Sequence, residues 1–279
     1  MLDAAVAMVN ETGLTVSLDH LSFEDVIRDA RVSRSTVYRR WPYKDLFLGD
    51  LLRELAGAAT PAVISSEETS VPEIRQVVLE HVDWLRPPDR RPELILELIR
   101  RVAVTEFETM HRSTEWRTYL ALHATYLSIA DDDLRRDLRE GLARSERDFV
   151  SRIAQAWQRL VALFGYRLRP QLGATYEDFA SMASADLRGH VILSLADPDI
   201  GSRRLHVRPF GASQEADWSP PGLALASIAQ VFFEPDPEVR WGEERCTALL
   251  QALGVSDPPD ESGDQQSGDT LPEGDAGDA

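Results

Sequence analysis

The sequence predicts an all-α chain in which a three-helix N-terminal module precedes a larger helical bundle. Three observations carry that expectation. Apolar residues recur at three- and four-residue spacing along nearly the whole chain, the period of a helix with one buried face. Strand-like alternation hardly occurs. Residues 22–44, SFEDVIRDARVSRSTVYRRWPYK, read as two short capped helices around a tight turn, which is the helix-turn-helix pattern. With 279 residues the chain is long enough for a small unit and a larger one. Its single cysteine, Cys246, excludes an internal disulfide framework and fits a reducing cytoplasm. No apolar run reaches the roughly eighteen residues of a membrane span, and the N-terminus lacks the basic region of a secretory signal.

Each element has its own signal. Leu2, Ala5, Val6 and Val9 give the first helix an apolar face that stops at Gly13. Ser22 and Asp25 form an S-x-x-D start for the second, with Phe23, Val26 and Ile27 on one side. Ala30-Arg31-Val32 makes the turn. Ser33 is the expected N-cap of the third helix, and Val37 its buried anchor. Trp41-Pro42 ends that helix, because proline disfavours helical backbone in the residue before it. Phe47, Leu48, Leu51, Leu52 and Leu55 stripe a fourth helix over 45–59. Pro61 and the polar run SSEETS mark a linker, so the expected units are residues 1–57, residues 58–255 and a tail over 256–279.

The bundle continues in the same idiom. Ile74, Val77, Val78, His81 and Leu85 stripe one helix, ended by Pro87-Pro88. Leu94, Ile95, Leu98, Ile99 and Val102 stripe the next, and Trp116, Leu120, His123 and Leu127 a third. A long charged helix is expected over 131–164 and another over 176–196, whose small residues allow close approach of a neighbour. Residues 197–222, rich in Pro, Gly and Arg, read as a long loop before two short final helices over 223–233 and 238–253. The tail from Ser256 holds eight acids and no base, too little apolar surface to order itself.

Charge singles out the turn region. Arg28, Arg31, Arg34, Arg39, Arg40 and Lys44 crowd residues 28–44 against Asp29 alone, in a chain of net charge -17. A confined basic patch on an acidic body suits local neutralisation of phosphates; the plainer alternative is a solvated arginine-rich helix. The run VSRSTVYRRWPYKDLFL resembles the DNA-binding signature of the tetracycline-repressor (TetR) family of bacterial regulators over about the first fifth of the chain. The resemblance implies that Arg34, Ser35 and Thr36 face base edges, with Ser33 capping them. It implies that Tyr38, Arg39 and Lys44 grip phosphates, and Arg40 belongs to the same face. Three departures stand out: Arg31 occupies the usual turn-glycine position, Ile27 replaces a small alanine, and the loop over 13–21 is longer than typical.

The resemblance further implies a homodimer built from the helices over 131–164 and 176–196, reading a palindromic double-stranded DNA operator. It also implies a small-molecule effector in the bundle, for which His81, Trp84, Phe107, Trp116, Tyr119, His123 and Tyr126 are the candidates, since aromatic bodies with polar tips suit mixed pockets. The alternative for each is a core residue with a satisfied polar end. Asp186 and His190, one turn apart, make a candidate charge-assisted pair for a ligand site, an interface or the fold itself. No metal spacing, nucleophile elbow or phosphate loop is visible, so neither metal, cofactor nor catalysis is expected. The competing reading is a helical small-molecule-binding or scaffold protein with a vestigial DNA-binding module.

Overall fold

The computed structural model describes residues 1–12, 22–58 and 70–255; among them the chain is all-α, with thirteen helices and two two-stranded antiparallel ribbons. The expected loop over 13–21, most of the linker and the acidic tail lie outside the described residues. Helices α1 (Leu2–Thr12), α2 (Phe23–Asp29), α3 (Arg34–Arg40) and α4 (Lys44–Ala58) come first. Then follow α5 (Ser70–Glu80), α6 (Val82–Leu85), α7 (Arg91–Arg112), α8 (Thr114–Ser128), α9 (Asp132–Leu163) and α10 (Tyr176–Ala196). The chain closes with α11 (Asp199–Ser202), α12 (Pro220–Phe232) and α13 (Glu243–Ala252). Strand β1 (Tyr166–Leu168) pairs with β4 (Phe233–Pro235), and β2 (Leu205–Val207) with β3 (Ala216–Trp218). Among the described residues, no helix is long and apolar enough to cross a membrane.

Side-chain caps set where the bundle helices begin. Ser113 Oγ accepts from the Trp116 N–H at 3.0 Å, and Asp131 Oδ1 from the Leu134 N–H at 2.8 Å. At α10, Thr175 and Asp178 form a reciprocal capping box. Each such cap is worth about 1 kcal/mol by satisfying a backbone donor that the helix leaves free.

The spine is α9. Its Leu138 and Leu142 join the core formed by Ala5, Val9, Val26, Val37 and the leucines of α4. Farther along, Phe149, Ile153 and Ala154 pack on Ala180 of α10, and Val161 enters the cluster around Phe179 and Trp218. Close approach to α4 requires Gly141, where an added Cβ would lie 3.2 Å from the Ala56 Cβ and 3.3 Å from its carbonyl carbon. One apolar core therefore runs from the first four helices into α8 and α9 without interruption.

Four sequence expectations need correction. The helix drawn through His81 breaks there: His81 has φ -127 and ψ 34, and its ring stacks on Trp84 at 4.2 Å, so α5 and α6 are separate. The stripe on α8 also fails, since Leu127 is 83% exposed. That helix passes between two cores: Trp116 and Tyr119 turn towards Phe107 and Val191, while Ala121 and Leu122 turn towards α1 and α4. No single stripe can describe a helix buried on different sides along its length. The supposed loop over 197–222 contains α11 and the β2–β3 ribbon, whose strands are too short for alternation to register. The last helix begins at Glu243 rather than at Glu238.

Two outcomes follow from this packing. Gly141→Val places branched carbon against the Ala56 backbone, and overpacking of that kind costs about 1–3 kcal/mol; urea unfolding of the variant should show that loss. On the ribbon, the Asp217 carboxylate 2.9 Å from His206 Nδ1 raises the exposed imidazole above its ordinary 6.5, with Glu215 adding to the effect. A raised imidazole stabilises the ribbon below pH 6.5 and loses that contribution as pH rises through the folded-state midpoint. An NMR titration should place the His206 midpoint above 6.5 and bring it back towards that value in Asp217→Asn.

Candidate nucleic-acid interface

Helices α2 and α3 are built by two matching serine caps. Ser22 Oγ accepts from the Asp25 N–H at 3.2 Å, and Ser33 Oγ from the Thr36 N–H at 3.3 Å. Between them the chain reverses at Arg31, with φ +52. This is the left-handed region that an L-residue with a long side chain enters only at a cost, and Arg31 stands where the turn glycine was expected. Ile27 is buried beneath the pair at 5% exposure, filling the space a smaller residue would leave.

Within α3 only Val37 is buried. Trp41 caps the helix, its N–H donating to the Val37 carbonyl at 2.8 Å and its indole Nε1 donating to Asp50 Oδ2 of α4 at 2.9 Å. An aromatic seam locks the three helices: Phe23 to Phe47 at 5.1 Å, Trp41 edge-on to Phe47 at 5.2 Å, and Phe23 edge-on to Tyr38 at 5.7 Å. With the inner side so pinned, Ser33, Arg34, Ser35, Thr36, Tyr38, Arg39 and Arg40 all project into solvent. Lys44 is half-buried at the first residue of α4. The hydroxyls of Ser33 and Thr36 lie 2.8 Å apart, and the Arg40 guanidinium sits 5.0 Å above the Trp41 ring.

Electrostatically the face is divided. Arg31, Arg39, Arg40 and Lys44 have no acidic partner among the described residues, so four cations are free for an anionic ligand. Arg34 is not: its Nη2 lies 2.5 Å from Glu24 Oε2, and the Tyr38 hydroxyl donates to Glu24 Oε1 at 3.4 Å. Arg28 is likewise paired with Asp25 at 2.5 Å. Sequence reading missed Glu24 because ten residues separate it from Arg34, and only the folded helix pair brings the two together.

The face is wired to the bundle through α4. Asp50 holds the Trp41 indole and also accepts from Arg53 Nη1 at 3.0 Å, while Arg53 Nε donates to Asp137 Oδ2 of α9 at 2.8 Å. The Asp137 hydrogen bond is the largest influence on the Arg53 guanidinium and helps raise its already high pKa, so it stays charged.

The seven effector candidates fall into three places. His81 and Trp84 stack at the α5–α6 corner, with the Arg90 guanidinium 4.6 Å above the Trp84 ring. Phe107, Trp116 and Tyr119 share a buried cluster with Met110 and Val191, and His123 packs on Tyr119 at 4.2 Å. Tyr126 lies instead against the core shared by α1 and α4. A cavity of about 340 Å³ lies elsewhere, lined by Glu73, Arg100, Arg101, Val104, Thr105 and Arg204. Beside Trp116 and Tyr119 of the middle group lies Arg188 of α10, which sequence reading did not single out. Its guanidinium sits 4.6 Å over Phe149 and 5.3 Å over Tyr119, and both Glu146 oxygens accept from its Nη1 at 2.9 and 3.0 Å. Burial, reinforced by the hydrogen bond to Glu146, holds the Tyr119 phenol well above its ordinary pKa. Asp186 and His190 do meet, at 3.4 Å; burial raises the Asp186 carboxyl while His190 pulls it back.

The strained turn is directly testable. Replacing Arg31 by glycine relieves a conformation costing about 1–2 kcal/mol, less about 0.4–1 kcal/mol for the freer unfolded chain. Arg31→Gly should therefore raise stability by up to about 1.6 kcal/mol, and by about 0.8 kcal/mol at mid-range, in urea unfolding.

No protein-family model matches this sequence, and no curated protein matches it either. Among solved structures it is similar to a candidate transcriptional regulator from Rhodococcus sp. RHA1, with 13% identity over 77% of this chain and 97% of that one, at a TM-score of 0.41. A likeness that loose leaves function to be argued from the residues themselves.

Proposed function

We propose that this chain is a ligand-responsive transcriptional regulator of the TetR type that binds a palindromic operator as a homodimer, most simply as a repressor. The observation that carries the reading is α3 itself. A helix held by Val37, Trp41 and the Phe23–Phe47 seam offers only polar and cationic groups to solvent, on a chain of net charge -17. Arg34 matches the two acceptors on a guanine edge, and Ser35 and Thr36 suit either base type. Tyr38, Arg39 and Arg40 suit phosphate oxygens. Lys44 stands at the start of α4, where free backbone N–H groups and the helix dipole favour an anion.

One short helix reads few base pairs, so two copies are required, with reading helices about 34–36 Å apart. The apolar side chains that α10 leaves exposed, Met182, Ile192, Leu193 and Leu195, suit a second copy packed through α9 and α10. Residues 1–57 would then be the DNA-binding unit and residues 58–255 the ligand-binding and dimerising one, working in the cytoplasm without catalysis. A ligand acts only through its difference in affinity for the two spacings of the reading helices.

The alternative, a helical binding or scaffold protein with a vestigial module, draws on the strain at Arg31 and on the pairing of Arg34 with Glu24. Fluorescence anisotropy on DNA enriched from a random pool separates the two. Arg34→Ala should cost about 1–3 kcal/mol and relax one base preference, whereas Lys44→Ala should weaken all sequences evenly and lower the salt slope by about one. Binding that ignores sequence in the native chain would favour the vestigial reading.

A further inference from the structure

Glu24 is out of place on a surface meant for phosphates. It lies on α2, half exposed, yet its two oxygens reach across to Arg34 at 2.5 Å and Tyr38 at 3.4 Å, both on the reading helix. Exposed pairs of this kind add little to stability, and here the fold is already fixed by the buried aromatic seam and Val37. The pair therefore has no visible structural necessity. Against DNA its chemistry is selective. A carboxylate finds no donor on a phosphate or on a thymine or guanine edge in the major groove; it accepts from the exocyclic amine of cytosine or adenine, cytosine being its usual partner, while arginine donates to guanine O6 and N7.

We propose that Glu24 is a specificity-determining residue of the DNA interface: it aims Arg34 at a guanine, accepts from the amino group of an adjoining cytosine, and repels sequences that offer only phosphate contacts. The inference rests on the DNA-binding reading above and adds a residue outside the α3 signature. Its two effects are separable. Charge repulsion weakens binding to every duplex, whereas the carboxylate–amine contact and the aiming of Arg34 favour particular bases. Removing the charge while keeping the side-chain size should thus tighten unrelated DNA and loosen discrimination at once.

The test uses the full chain and its Glu24→Gln variant, with thermal melting as a check on folding. The probes are a duplex enriched from a random pool by the native chain, single-base variants of that duplex, and an unrelated duplex of equal length. Expected is tighter binding of Glu24→Gln to the unrelated duplex and a roughly tenfold fall in the ratio of specific to unrelated affinity. The lost discrimination should sit at one guanine–cytosine position per half-site, and in an Arg34→Ala background Glu24→Gln should no longer change the preference for that guanine. If the native chain discriminates and Glu24→Gln keeps the same base profile, or shifts all duplexes equally, the role given to Glu24 is overturned while the DNA reading stands. If the native chain enriches no sequence, both are overturned.

Discussion

The contact between α4 and α9 is the constraint on which the rest depends. At Gly141 the two backbones come so near that a single added carbon would touch the Ala56 peptide. Around that point Leu51, Leu52 and Leu55 of α4 interleave with Leu138 and Leu142 of α9, and Arg53 ties the polar edge to Asp137. Everything N-terminal to α4 inherits its position from this seam. Trp41 and Phe47 carry α3 on α4, and Phe23 then carries α2 on both. Packed interfaces of this density move as units rather than deforming continuously. A shift of α9 must therefore either carry α3 with it or break the seam.

The opposite side of α9 faces α10, and there the chemistry changes. Where the α4 side is apolar with one ion pair at its edge, the α10 side encloses a guanidinium among aromatic rings and ties it to Glu146 and Tyr119. Arg188 keeps Nε and Nη2 buried without a protein acceptor, and the Trp116 indole N–H beside it is also without one. Such groups are costly unless every donor is satisfied.

How far the sequence disclosed this arrangement depends on the range of each signal. The caps at Ser22 and Ser33, the turn at Arg31 and the anchor at Val37 are local, and each was legible because its cause lies within four residues. The long amphipathic helices were legible for the same reason: a period needs only its own chain. What escaped required knowledge of neighbours. The burial of α8 changes sides because two different cores flank it, and the helix break at His81 comes with a ring stack on Trp84. The three-residue strands of the β2–β3 ribbon leave too short a pattern to read. Residue type alone singles out the effector candidates and carries no information about whether side chains converge; the structure distributes them over three places. The link from Glu24 to Arg34 escaped for the plainest reason, since nothing in one helix's pattern names its partner in the next.

The acidic body and the cationic helix pull in opposite directions, and distance decides between them. At about 0.1 M salt, charges interact over about 10 Å before screening removes most of the effect. Beyond that range a chain of net charge -17 gains nothing from approaching DNA. Within it, the free cations Arg31, Arg39, Arg40 and Lys44 dominate because they are local and unpaired. In the proposed complex, attraction is strongest in orientations that bring α3 against the duplex. Glu24 extends that selection inwards by one more step. In the proposed complex it opposes phosphates even when α3 is correctly presented, leaving the contacts to base edges as the terms that decide whether the complex holds.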